Sequence, residues 1–153
     1  MDTTFDPSDK LDLSPSLAGS AADPSTPSSR VRFWSGITLS GLAVAFLLFD
    51  AGIKLAKLQP VVDSFAQLGY PAELARGIGL LELGCLALYL ISRTAPLGAL
   101  VLTGFLGGAI STHLRVADPW LSHTLFPIYV ALLLWGGLYL RDERARALLR
   151  RKP

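Results

Sequence analysis

The chain has 153 residues, 51% of them hydrophobic, and a formal net charge of only +2. That length suits one domain, and the mean hydropathy of +0.45 is high for a water-soluble protein. The small net charge gives no basis for nucleic-acid binding, and a single cysteine, Cys85, excludes an intrachain disulfide or dithiol pair. The sequence also lacks any Cys/His spacing typical of a metal site.

Residues 1–32 predict a disordered cytoplasmic tail. They are rich in Ser, Pro, Asp, Thr and Ala and contain few large apolar residues. Such a segment buries too little surface to offset the conformational entropy that it would lose on ordering. We therefore expect the folded membrane domain to occupy residues 33–149.

The first predicted membrane span covers about residues 34–58. A helix needs about 20 residues to cross the hydrocarbon core of a bilayer. The apolar run from Ser35 to Phe49 is shorter than that. The span must therefore include Asp50 and Lys54 in its last turns.

A short amphipathic helix on the membrane surface is predicted at about residues 60–68. Apolar residues recur there at helical spacing, and polar residues occupy the opposite face. Gly69 suits the end of this helix, and Pro71 suits the start of the next one. The apolar positions are Leu58, Val61, Val62, Phe65 and Leu68.

Three further spans are predicted at about residues 72–91, 95–113 and 125–140, and a basic helix or tail follows at 141–153. The connections between the spans are short, which makes consecutive helices antiparallel neighbours. The expected fold is therefore all-α: an integral membrane four-helix bundle with up-down topology and a disordered N-terminal tail.

The distribution of basic residues predicts the orientation of these spans. With four spans both termini lie on one side, which holds nine basic residues near the spans against four on the other side. Because cytoplasmic segments carry the excess of Lys and Arg, both termini are expected in the cytoplasm. The nine are Arg30, Arg32, Arg93, Arg141, Arg144, Arg146, Arg150, Arg151 and Lys152, and the four are Lys54, Lys57, Arg76 and Arg115.

Several ionisable residues lie within or at the ends of the spans, where a charge costs roughly 2.5–3.5 kcal/mol at the helix centre. Asp50 and Lys54 are four residues apart and share one face of the first span, and Glu82 lies near the middle of the second. Arg115 and His113 lie at the end of the third span. We expect the first four, with His113 beside them, to form a polar pocket that opens toward the outer surface.

Small residues predict which helix faces pack together. Gly104 and Gly108 share a face with Arg115 and form a GxxxG pattern, which lets a neighbouring helix approach closely. Gly79 shares a face with Glu82 on the second span. The GxxxG face suits packing within the bundle or association of two chains, and the sequence does not separate these alternatives.

Two interpretations of the predicted polar pocket stay open. In the first, its acids and bases neutralise one another and hold the helices in register, so their role is structural. In the second, Glu82 gains and loses a proton beside a bound quinone or small solute, because ionisable residues inside membranes are commonly functional. His113 is expected to form interfacial hydrogen bonds rather than to bind a metal or haem.

Two segments carry a resemblance to a known family: LGYPAELARGIGLLELGCLALYLISRTAPLGALVLTGFLGGAISTHLRVADP and FPIYVALLLWGGLYLRDERARALL. In spans, turns and placed charges the chain from Trp34 to Leu149 resembles the DoxX-like family of small bacterial membrane proteins. The resemblance implies the same four-helix bundle, in the inner membrane of a bacterium. The wider DoxX family is named after a membrane subunit associated with thiosulfate:quinone oxidoreductase, and no set of catalytic residues carries over.

These sequence patterns are compatible with three functions for a protein that spans the lipid bilayer. The first is a quinone-interacting subunit of a membrane oxidoreductase, which would depend on another redox protein because no flavin or iron–sulfur motif is present. The second is a binding or transport module for a small solute. The third is a non-catalytic scaffold that binds another membrane protein through its small-residue faces. Whether the protein is an enzyme is left open, and a quinone is the one cofactor considered.

Overall fold

The computed structural model describes residues 27–149, and the regular structure in this range is helical throughout. The predictions for residues 1–26 and 150–153 lie outside the described residues. The elements are α1 (Pro27–Ala56), α2 (Gln59–Gln67), α3 (Leu74–Leu90), α4 (Ala95–Arg115), a π-helical turn (Trp120–Thr124), α5 (Phe126–Arg141) and α6 (Glu143–Leu149).

The first helix begins earlier than predicted, because residues 27–32 form its first turns instead of belonging to the tail. Pro27 suits this position, since its φ is already helical and its missing N–H would have no partner within the first turn. α1 ends at Ala56, and Lys57 then adopts a positive φ of 50° that turns the chain toward α2. α2 begins and ends one residue before the predicted range of 60–68.

Within residues 27–149, three helical segments are long and apolar enough to cross a membrane: Ser29–Ala56, Ala95–Arg115 and Trp120–Arg141. α3 has 17 residues. At 1.5 Å per residue this is about 25 Å, slightly less than the hydrocarbon thickness of about 30 Å. Residues 27–149 are therefore all-helical with three candidate spans, and the fourth span at 72–91 and the up-down bundle stay predictions.

The long helices pack in pairs around a buried core. α1 contacts α3 and α5, and α4 contacts the same two helices. α1 and α5 cross at Gly36 and Gly137, where a Cβ on Gly36 would lie 2.9 Å from the Gly137 carbonyl oxygen. Small residues are required at such a crossing because the two backbones meet directly. The large, fully buried side chains of the core include Leu47, Leu86, Tyr89, Leu102, Leu134 and Leu138.

A buried tyrosine connects three of these helices. The Tyr89 hydroxyl on α3 donates to the Leu134 carbonyl oxygen on α5 at 2.9 Å. The Ser40 hydroxyl on α1 lies 2.9 Å from the same tyrosine oxygen. Because the single hydroxyl proton of Tyr89 is directed to Leu134, Ser40 is the donor in the second bond. Both hydrogen bonds are therefore lost if the tyrosine hydroxyl is removed.

We expect Tyr89→Phe to lower the free energy of unfolding by about 1–3 kcal/mol, because the buried Ser40 and Leu134 groups lose a partner. Tyr139→Phe, on the exposed surface of α5, is the control and should change stability little. Cys85 is buried and is the only cysteine, so its reaction with a thiol dye reports unfolding in detergent. Equal stability of the two variants would contradict the role of this hydroxyl.

Candidate functional site

Lys54 joins the two predicted acids. Its Nζ donates to Asp50 Oδ2 at 2.6 Å and to Glu82 Oε2 at 2.8 Å. Asp50 and Lys54 meet because they lie one helical turn apart on α1. Glu82 reaches them from α3 because Gly79 lets the two helices approach: a Cβ there would lie 3.1 Å from both the Ala51 carbonyl oxygen and Lys54 Cβ.

The three charged groups differ in their contact with the surroundings. Glu82 is completely buried, and its Oε1 has no hydrogen-bond partner among the described residues. The side chains of Lys54 and Asp50 are 14% and 29% exposed, respectively. The Lys54 ammonium thus contacts two carboxylates, of which Asp50 is partly exposed and Glu82 is buried.

His113 forms a second polar cluster that the sequence did not predict. Its Nδ1 lies 2.7 Å from Asp118 Oδ2, and the Gln67 side-chain amide donates to Asp118 Oδ1 at 3.2 Å. Because an ionised carboxylate only accepts, Nδ1 carries the proton in this contact. The His123 ring lies 5.9 Å from the His113 ring, and its Nδ1 contacts the Ser122 hydroxyl at 2.8 Å.

Arg115 does not join the other charges. It is the last residue of α4, and its guanidinium donates to the Leu68 carbonyl oxygen and lies 5.6 Å over the Tyr70 ring. The loop between α2 and α3 supplies both partners, since Gly69 turns the chain there with a φ of +72°. Arg115 is therefore not part of the predicted polar pocket and instead makes its contacts at the exposed end of α4.

A cavity of about 670 Å³ lies beside the C-terminal parts of α1 and α4, and residues from every element between α1 and α5 line it. Four ionisable residues line it: Asp50, Lys54, His113 and His123. Glu82 does not line the cavity but contacts Lys54, and Arg115 lies outside it. The rest of the wall is mainly apolar and aromatic. Its rings belong to Phe46, Phe65, Tyr70, Phe105 and Phe126.

The GxxxG face of α4 borders this cavity. Gly104 and Gly108 are both part of its wall, and a Cβ added to either would meet nothing within 4 Å in the described chain. No described helix therefore packs closely on this pair. The missing side chains instead leave volume for the cavity, while Gly79 is the predicted packing glycine that does contact a neighbouring helix.

Sequence reasoning missed Asp118, His123 and the phenylalanines of the wall. Asp118 and His123 both lie in the connection between the spans predicted at 95–113 and 125–140. Asp118 contacts His113 from five residues further along the chain, and the π-helical turn brings His123 back to the end of α4. A search for polar residues just after a span end would have found Asp118, but the phenylalanines carry no such signal.

Comparison with known proteins identifies the family but adds no described relative. A search of curated proteins and a search of solved structures each found no match. The sequence model of the DoxX-like family matches residues 38–137, about two thirds of the chain. This range includes Asp50, Lys54, Glu82 and His113 and every residue of the cavity wall. The chain therefore belongs to the DoxX-like family.

Proposed function

We propose that this membrane protein binds a small amphiphilic molecule in the cavity lined by helices α1 to α5. The cavity itself carries the proposal, since its volume of about 670 Å³ lies within the usual range for small-molecule sites. Such sites have mainly apolar walls and a few polar groups that orient the ligand. Asp50, Lys54 and the two histidines are the orienting groups here.

In this proposal α3 is the fourth span and the helices form an up-down bundle. Leu80 and Leu81 on α3 are 67% and 58% exposed, which suits contact with lipid rather than water. The excess of basic residues near the termini supports cytoplasmic termini. The resemblance to a family of small bacterial membrane proteins supports insertion in the inner membrane of a bacterium. The cavity then lies toward the outer surface, because it is at the opposite end of α1 from Pro27.

An isoprenoid quinone is one candidate ligand, and it would make the protein a subunit of a membrane oxidoreductase. A quinone has an apolar tail and two carbonyl oxygens that accept hydrogen bonds. The apolar wall suits the tail, and the Lys54 ammonium, which has one N–H left beyond its two carboxylate contacts, is a donor for a carbonyl. Electrons would come from another redox protein, because the sequence has no motif for a flavin or an iron–sulfur centre.

Filling the cavity tests the proposal. We expect wild-type protein, purified in mild detergent, to retain an extractable quinone or other amphiphile that mass spectrometry identifies. In Gly108→Leu the new side chain enters the cavity, and retention should fall at least tenfold. Gly107→Leu is the matched control, since Gly107 is the preceding residue of α4, has open space around it and is not part of the wall.

The outcomes separate the candidates. A quinone lost only from Gly108→Leu supports the redox subunit, and a different amphiphile with the same dependence supports a solute-binding or transport module. If both leucine variants retain the same molecules as the wild type, the cavity is not the site. A non-catalytic scaffold that binds another membrane protein, or a second copy of the chain, would then be favoured.

A further inference from the structure

We infer that the ligand of this cavity carries a positive charge: a lipophilic organic cation, such as an amine with apolar substituents, whose charged centre lies against Asp50. This inference rests on the proposed function, because it takes the cavity as a ligand site. A cationic ligand of this class is the alternative to the neutral quinone.

The first argument is the charge balance of the Asp50–Lys54–Glu82 cluster. Both carboxylates contact the same ammonium, at 2.6 and 2.8 Å, so the cluster as ionised has one negative charge in excess. Among the described residues of the wall, Lys54 is the only Lys or Arg. His113 contacts the Asp118 carboxylate, and Arg115 lies outside the cavity. An unbalanced charge in an apolar setting is costly, and a cationic ligand against Asp50 would remove that cost without a proton on Glu82.

The second argument is the position of the two acids. Glu82 is sealed behind Lys54, so a ligand cannot contact it directly. Asp50 is 29% exposed and forms part of the wall. Because Glu82 shares the Lys54 ammonium, Asp50 is only partly neutralised and is the carboxylate that a cation would contact. Glu82 is thus a positioning residue that acts through Lys54.

The third argument is the aromatic wall. The faces of Phe and Tyr rings carry partial negative charge and attract organic cations, best where water is excluded. Phe46, Phe65, Phe105 and Phe126 all border the cavity. Lys54 Nζ already lies 5.5 Å from the centre of the Phe105 ring, so this wall accommodates a cation. A bare inorganic ion would need several oxygen ligands, which a mainly aromatic wall does not supply.

Tetraphenylphosphonium and tetraphenylborate test the charge alone, because the two ions have the same shape and opposite charge. Equilibrium binding is measured with the purified full chain in neutral detergent, and binding to Gly108→Leu supplies the background for each ion. We expect the phosphonium to bind once per chain and at least tenfold more tightly than the borate. Asp50→Asn should weaken phosphonium binding at least tenfold.

Two further variants complete the experiment. Asp63→Asn is the control, because Asp63 is an exposed acid on α2 that pairs with Gln59 and is not part of the wall. It should leave binding unchanged. Glu82→Gln keeps the shape of the buried side chain while it leaves Lys54 to neutralise Asp50. It should weaken phosphonium binding and strengthen borate binding, which a purely structural role for Glu82 would not do.

Each result bears on either the charge or the cavity. If the two ions bind equally well and both are lost in Gly108→Leu, the cavity is a ligand site but the inference of a cation is wrong. If Asp50→Asn and Glu82→Gln bind the phosphonium as the wild type does, the inference also fails. If neither ion distinguishes Gly108→Leu from Gly107→Leu, the proposed ligand cavity itself is overturned.

Discussion

Lys54→Met should lower the free energy of unfolding by about 3–5 kcal/mol, the usual cost of removing one partner from a buried ion pair. Methionine matches the four-atom apolar stem of lysine but removes the ammonium that contacts both Asp50 and Glu82. Glu82 is completely buried, so water cannot replace the lost partner. The variant therefore leaves two carboxylates facing each other without a cation.

A denaturant titration in mild detergent measures this effect, with the reactivity of buried Cys85 as the signal. Lys57→Met is the matched control, because Lys57 follows three residues later and contacts neither carboxylate of the cluster. Lys54→Met combined with Glu82→Gln should recover a large part of the loss, because the buried charge is removed along with its partner. A single variant as stable as Lys57→Met would show that the cluster adds nothing to stability.

Gly98→Ala should destabilise the protein by about 3 kcal/mol, at the upper end of the usual cost of overpacking. An added Cβ would lie 2.6 Å from the Leu88 carbonyl carbon and closer still to the backbone of Tyr89. Since these are backbone atoms, no side chain can rotate away. α4 must therefore move away from α3, which disturbs the packing of the fully buried Tyr89.

Gly107→Ala is the control on the same helix, because a Cβ there would meet nothing within 4 Å. Its stability should rise by roughly 0.5–1 kcal/mol, since alanine is the better helix former. Both variants are compared in the same titration. Equal stability of the two would mean that α3 and α4 are not held together at Gly98.

The charged cluster shows which side-chain contacts can be predicted from the spacing of residues within one helix. Asp50 and Lys54 pair as predicted because a separation of four residues places them on one helix face whatever the rest of the chain does. We expected Glu82 to join them because burying an unpaired carboxylate costs free energy, so the carboxylate needs a partner. The position of Arg115 was not predictable in the same way. Its partners are a carbonyl oxygen and a ring on a distant loop.

The spacing of glycines in the sequence likewise predicts only part of the helix packing. The GxxxG pattern of Gly104 and Gly108 correctly marks a face without side chains, but it does not reveal whether a helix or a cavity lies against that face. The crossing of α1 and α5 depends instead on Gly36, Ser40 and Gly137. Gly36 and Ser40 are themselves a pair of small residues four apart, so the spacing alone did not distinguish the packed pair from the open one.

Three properties of this protein could be predicted from its sequence: it is helical, it belongs in a membrane, and its buried charges need partners. These properties follow from hydropathy, helical spacing and the cost of isolated charge, all of which are local. Three other features became visible only when the helices were seen packed together: Lys54 contacts two acids, His113 pairs with Asp118, and a cavity lies beside them. Those features depend on the distances between helices, which the side chains of all the neighbouring elements set together.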